Sequence, residues 1–225
     1  MYIRKLFRCI ISLPKTVYFN FSVLGFREAI KLPFYVDADV RLGKLYKNVV
    51  RFMYQPKRFD IKLGIRTIDG VPEYTKGYIS FSKQSKIILN GNAEFSYGIT
   101  LVTLNDGIIS VGRNFFCNKN CSIVSRDSIY LGNDVLMGWN VSIRDSDGET
   151  HRIYNSGIPA MNHKPINVSD HVWICACSHI LKGVSLARDT VVAYNSCVTK
   201  SFSESNIILA GCPACIIKTN IDWSR

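Results

Sequence analysis

No run in this sequence approaches the ~20 consecutive apolar residues that a membrane-spanning helix requires. The basic start, Met1 to Arg8, is followed by an apolar stretch that ends at Pro14 and Lys15, too short for the core of a secretory signal. No G-x-x-x-x-G-K-S/T loop and no G-x-S-x-G elbow occur, which removes P-loop nucleotide hydrolysis and the common serine-hydrolase nucleophile. Helix-turn-helix, zinc-finger and aromatic RNA-binding patterns are absent as well, so nucleic acid is not an expected partner. Histidine is scarce, four in 225 residues, which leaves few groups for acid–base or metal work. The expectation is a soluble, cytoplasmic protein whose eight cysteines stay reduced. Cys212-Pro213-Ala214-Cys215 is a C-x-x-C, but no second pair or histidine motif completes a zinc or redox site.

What is abundant is aliphatic and basic. Hydrophobic residues make up 47% and charged residues 20%, a globular composition. The formal net charge is +11, and it is unevenly placed. Residues 1–66 hold 14 basic and 4 acidic residues; residues 67–225 hold 14 and 13. Such a segment reads either as a solvated basic face or as attraction to anionic lipid or a diphosphate-bearing substrate.

The informative pattern has a period of six. Val168, Ile174, Ile180, Leu186, Val192 and Val198 are all aliphatic. The positions four later, Val172, Ser178, Val184, Thr190 and Ser196, are small or β-branched. Leu131, Met137, Ile143 and Val111, Cys117, Ile123 form two earlier arrays, with register slips of two between them. Neither a helix nor a lone half-buried strand repeats every six residues. Hexads instead fit a parallel β-helix, in which three short strands and three corners close one coil and stability comes from stacking. Weaker hexads at Leu89 and Phe95 place the first coils near 79–89. Residues 1–66 are expected to be a cap or a membrane- or acceptor-proximal segment, with a short helix ending before Pro14. Residues 67–205 are expected to be the β-helix, interrupted by a polar loop at 145–167, and 206–225 a tail outside the repeat.

The segment VSDHVWICACSHILKGVSLARDTVVAYNSCVTK (168–200), with AGCPACIIK (210–218) and GNDVLMGWNVSI (132–143), resembles the hexapeptide-repeat acyltransferases. The N-terminal third bears a softer likeness to members from surface-polysaccharide gene clusters. The resemblance implies an all-β, left-handed parallel β-helix, a homotrimer, and acetyl-CoA bound between neighbouring subunits. The hand comes from the resemblance alone, since parallel crossovers are normally right-handed. The family often carries Gly just after the inward aliphatic; Ser169, Cys175, Leu181, Ala187, Ala193 and Thr199 stand there instead.

The activity implied is transfer of an acetyl group from acetyl-CoA to a hydroxyl of a sugar in a bacterial surface glycan or its precursor. The acceptor is a carbohydrate or glycolipid, and no metal is expected. A free sugar or sugar amine is the alternative acceptor. A zinc-dependent β-helical hydratase and a non-catalytic scaffold are the rivals from other classes. By resemblance His151 is the general base, following a coil strand like GNDVLMGWNVSI, although Arg152 stands where the family often has Pro. Asp145 and Asp147, six and four residues earlier, are the candidates to orient its imidazole. Asn118 and Trp173 match an asparagine and an aromatic of the family's cleft. Ala176, Tyr194, Thr199 and Lys200 are expected to line the pantetheine arm, with Lys218 near the nucleotide phosphates. His163, His171 and His179 read as structural or surface residues, and Cys117 or Cys121 as nucleophiles without a clear helper.

Overall fold

The computed structural model describes residues 2–65, 75–148 and 154–224. Short strands follow one another around three faces, and each pairs in parallel with the strand one coil further along the chain. The first face runs from Phe34–Val36 to Ile208–Gly211 and ends in the antiparallel strand Ala214–Lys218. The second runs from Arg41–Leu42 to Cys197–Val198, the third from Val50–Phe52 to Ser185–Leu186. The bridge between Leu186 and Phe202 adds a seventh coil on the third face.

The hexad prediction holds in detail. Val168, Ile174, Ile180, Leu186, Val192 and Val198 all point into the core and are at most 3% exposed. The positions four later are buried too, and their hydroxyls bond to the backbone: Ser178 Oγ donates to Ala193 O and Thr190 Oγ1 to Ala187 O, both at 2.8 Å. The corners obey the same period. His171, Cys177, Gly183, Asp189 and Asn195, six apart, all have positive φ of 54–78°. Asparagine and aspartate tolerate that left-handed conformation best, and Asn114, Asn120, Asp134 and Asn140 occupy the earlier corners. Ser169, Cys175, Leu181, Ala187, Ala193 and Thr199, which stand where the family often has Gly, are not among the residues with positive φ, so their side chains bring no backbone strain.

The boundary expected at residue 66 is not where the coils begin. Phe34–Val36 pairs with Ile61–Ile65, Arg41–Leu42 with Tyr78–Ser80, and Val50–Phe52 with Lys86–Leu89, so two coils include chain upstream of 67. The tail expected at 206–225 also departs from prediction, because Ile208–Gly211 continues the first face beside Val191–Val192.

The true cap is the helix α1, Tyr2–Val23, which runs through Pro14 rather than ending before it. Its inward face carries Phe19 and Val23 in the core and, beside them, a polar row. Ser12, Thr16 and Asn20, four apart and fully buried, meet the open edge of the strand Phe34–Val36. Asn20 Oδ1 accepts Phe34 N–H at 3.1 Å, while its Nδ2 donates to Phe34 O at 2.9 Å. Thr16 Oγ1 likewise accepts from Val36 N and donates to Val36 O, at 3.0 and 3.1 Å, and Ser12 Oγ accepts from Ala38 N at 3.0 Å. Four helical residues rise ~6 Å and two strand residues ~6.6 Å, so one helix row can serve one strand edge. The edge that would otherwise recruit another strand is closed by side chains.

Candidate functional site

The second face carries an outward row of polar side chains. Ser142, His179 and Cys197 stand in one outward column, in register across three coils. Two corners flank them. At the corner before this face, successive coils place Asn118, then Gly138 and Trp139, then Cys175 and Ala176, then Ala193 and Tyr194. Trp139 and Tyr194 project from this corner, 44% and 64% exposed, with the buried Ala176 on the coil between them. Trp139 belongs to this row and was not singled out in the sequence. Burial pushes the Cys175 thiol up to about 11.

The loop 145–167 leaves from the corner after the second face. His151 lies outside the described residues, as do 149, 150, 152 and 153. The foot of the loop is fully described. Ser146 and His163 form an antiparallel bridge, Asp147 N donates to Asn162 O at 2.8 Å, and Lys164 N to Asp145 O at 2.9 Å. Lys182 of the next coil bonds both the Asp147 carboxylate and Met161 O.

Asp145 has a different job from the one expected. It is fully buried, and its carboxylate accepts Ser125 Oγ at 2.8 Å, Arg126 N at 2.8 Å and Asp127 N at 2.9 Å. A carboxylate with three such donors holds a turn and is not free to orient an imidazole. Asp147 is engaged as well, by Lys182, though its side chain is half-exposed. The turn that Asp145 holds presents Asp127, whose Oδ2 lies 2.9 Å from His163 Nδ1. Sequence reasoning missed Asp127, because 36 residues separate the pair and no spacing rule links them.

Thr199 and Lys200 lie on the same corner as the loop, one coil beyond Lys182. Lys200 Nζ sits 5.5 Å over the Phe202 ring. Lys218 ends the last strand of the first face, opposite Ile208, so it is not brought beside Lys200. Trp173 also belongs to the first face, in register between Leu136 and Val191. The C-terminal Trp223 reaches it, with ring centroids 5.8 Å apart, and stacks on His171 at 3.9 Å and 4°. Trp223 Nε1 donates to His171 O at 3.2 Å, and His171 Nδ1 lies 2.7 Å from Asp189 Oδ1.

The thiols at Cys117 and Cys121 are buried in the core, and burial drives Cys117 well above its ordinary value. A solvent-facing acyl acceptor cannot reach either, which removes them as nucleophiles. A cleft of about 510 Å³ lies elsewhere, between the N-terminal helices and the first coil, and shares no residue with the loop.

The coils described above are those of a parallel β-helix, and comparison with known proteins points to the acyltransferases it resembles. The chain's homologues are sugar and polysaccharide O-acetyltransferases of that family. No protein-family model matches the sequence. Galactoside O-acetyltransferase of Escherichia coli (strain K12) is 31% identical over 125 residues, 55% of this chain and 56% of that protein. Polysialic acid O-acetyltransferase of Escherichia coli O1:K1 / APEC is 31% identical over 150 residues, 67% of this chain and 42% of that protein. The chain thus spans about half the length of the curated relatives it matches. A crystal structure of a polySia specific acetyltransferase superposes with a TM-score of 0.61 at 25% identity, covering 83% of this chain and 72% of that one. These neighbours are left-handed β-helices, and the hand of the present coil follows theirs.

Proposed function

We propose that this chain transfers an acetyl group from acetyl-CoA to a hydroxyl of a sugar in a surface glycan or its precursor. The observation that carries the reading is the second face. A loop whose two ends are tied together at Ser146 and His163 leaves from one side of it, and Trp139 and Tyr194 project along the other. The small side chains beside the projecting Trp139 and Tyr194 suit a slender pantetheine arm, and the exposed Lys200 and Lys218 offer point charges for phosphate oxygens. Relatives named as galactoside and polysialic acid O-acetyltransferases support a sugar acceptor.

The proposed chemistry needs one base. A sugar hydroxyl attacks a thioester carbonyl poorly unless its proton leaves during attack. His151 takes that proton and returns it to the departing thiolate as the carbon–sulfur bond breaks. Asp145 acts at one remove, by fixing the turn at 125–127 and with it the foot of the loop. His163, held by Asp127, anchors the far end of the same loop.

The site residues fall on two faces of one chain, Trp173 and Lys218 on the first and the loop on the second. A single coil cannot bring those faces together, whereas a neighbouring copy in a cyclic trimer sets one against the other. A thiol-release assay with acetyl-CoA against a panel of glycans, free sugars and sugar amines tests the function. Release stimulated by glycans or their precursors is the expected result. Release with none of them overturns it.

A further inference from the structure

The polar residues of α1 are turned inward, and the consequence is an apolar outer face. Phe7, Ile10, Ile11, Leu13, Val17 and Tyr18 are all exposed, Phe7 by 64% and Ile10 and Tyr18 by 61% each. Positions 7, 10, 11, 17 and 18 fall on one side of a 3.6-residue helix. The patch continues onto the short helix α2, Phe26–Ala29, where Phe26 is exposed and its ring meets Phe21 at 5.9 Å. On the other side Ile10 and Leu13 border an open hollow of about 200 Å³ with Tyr35 and Phe59. Single exposed hydrophobics are ordinary, but a contiguous face of this kind marks an interaction surface.

Charge identifies the occupant. Arg8 is spent internally on Asp37 and Asp39, and Lys15 on Ala38 O and Val40 O. The cations beside the apolar face are not. Arg27 and Lys31 border Phe26 and Ile30, Lys57 and Arg58 precede Phe59, and all four are exposed and form no ion pair among the described residues. Helix α1 contains no acidic residue. Among the described residues up to 65, Glu28 is the one carboxylate without a bonding partner. Two copies meeting through this face would set like charges against each other. An anionic bilayer surface would instead receive apolar side chains and neutralise the cations around them.

We propose that the outer face of α1 with α2 is a docking surface for an anionic membrane, with the helix lying in the plane of the interface. No described helix is long and apolar enough to cross a membrane. The geometry also sets an orientation. The bonds from Asn20 and Thr16 to the N–H and C=O of Phe34 and Val36 run along the coil axis, so α1 closes the end of the solenoid. Docked through α1, the coil stands upright on the bilayer. The loop leaves the fifth coil, four strand spacings of ~4.8 Å higher, so the second-face site stands on the order of 20 Å above the first coil. That height suits a sugar carried on a lipid anchored below.

The test is co-sedimentation of the full chain with vesicles of phosphatidylcholine containing 30% phosphatidylserine, or of phosphatidylcholine alone. Wild type should bind the anionic vesicles more tightly, and added salt should weaken that preference. The triple variant Phe7→Ser, Ile10→Ser, Tyr18→Ser should lose about tenfold or more in partitioning, with unchanged circular dichroism and unchanged mass by light scattering. Arg27→Gln, Lys31→Gln, Lys57→Gln, Arg58→Gln should lose the preference for phosphatidylserine and keep any binding to neutral vesicles. Wild type binding neither vesicle, or the triple variant binding as wild type does, overturns the proposal. A triple variant of reduced oligomeric mass, with no vesicle binding by wild type, would make the face a contact between copies instead.

Discussion

The buried carboxylate of Asp145 accepts the backbone N–H of Asp127 at 2.9 Å, and Asp127 in turn holds the imidazole of His163. One acid thus fixes the strand turn on one coil and, through it, the far end of the loop leaving the next. Asp145→Ala strands three donors in a dry corner, at about 1–3 kcal/mol for each that stays unsatisfied. In a chain of this size ~1 kcal/mol moves the melting temperature by about 2–4 °C. Thermal unfolding should therefore show a fall on the order of 10 °C. If Asp145 instead oriented the catalytic imidazole, Asp145→Asn would cut kcat and leave the melting temperature unchanged.

The helix cap makes a separate claim about stability. Asn20→Leu removes both partners of Phe34 and leaves its N–H and C=O buried beneath the helix. A loss of about 2–4 kcal/mol follows from two unsatisfied backbone groups, and the exposed strand edge should favour aggregation. Denaturant unfolding and light scattering read the two effects. Thr16→Ser, which keeps the hydroxyl, should stay within ~1 kcal/mol of wild type.

Trp223 packs on His171 and Trp173, the aromatic proposed for the donor site. Trp223→Ala removes the stack on His171 and uncovers one side of Trp173. The apparent constant for acetyl-CoA should rise by about three- to tenfold, a shift of ~1 kcal/mol, with kcat changing less. An unaltered constant, with Trp173→Ala also silent, would take this aromatic group out of the donor site.

The two-face arrangement predicts that activity requires assembly. Light scattering should report three times the chain mass. Mixing inactive His151→Ala chains with inactive chains altered on the first face, Trp173→Ala with Lys218→Ala, should restore part of the activity, since some interfaces receive one intact half from each parent. A fully active monomer would refute the shared site.

Much of the coil was legible in the sequence because its constraint is local. Each hexad from Val168 to Val198 sets one inward aliphatic, and the last complete coils step by 18 residues, as in His179 to Cys197. Upstream the step is 20 at Phe116 to Leu136, 22 at Leu101 to Ile123, and longer still before that. Extra corner residues dilute the period there, so the coils built from residues 34–65 look aperiodic and were assigned to a cap. The six-residue spacing of corner residues with positive φ is present upstream as the pairs Asn114 and Asn120, and Asp134 and Asn140. Site residues were less legible. Asp127 and His163 meet only because one coil stacks on the next, and Asp145 looked like a partner for His151 by proximity in sequence although its side chain turns into the core.

The central claim is general-base catalysis of acetyl transfer by His151, and the most direct measurement is the rate of CoA release by His151→Ala with acetyl-CoA and a responsive acceptor. The account predicts that kcat falls by about 10²–10⁴-fold, the usual scale for a lost acid–base group, while the melting temperature and acetyl-CoA affinity remain near wild type. Turnover within about threefold of wild type, against that 10²–10⁴-fold scale, would contradict it and move the role to His163 on its Asp127 anchor.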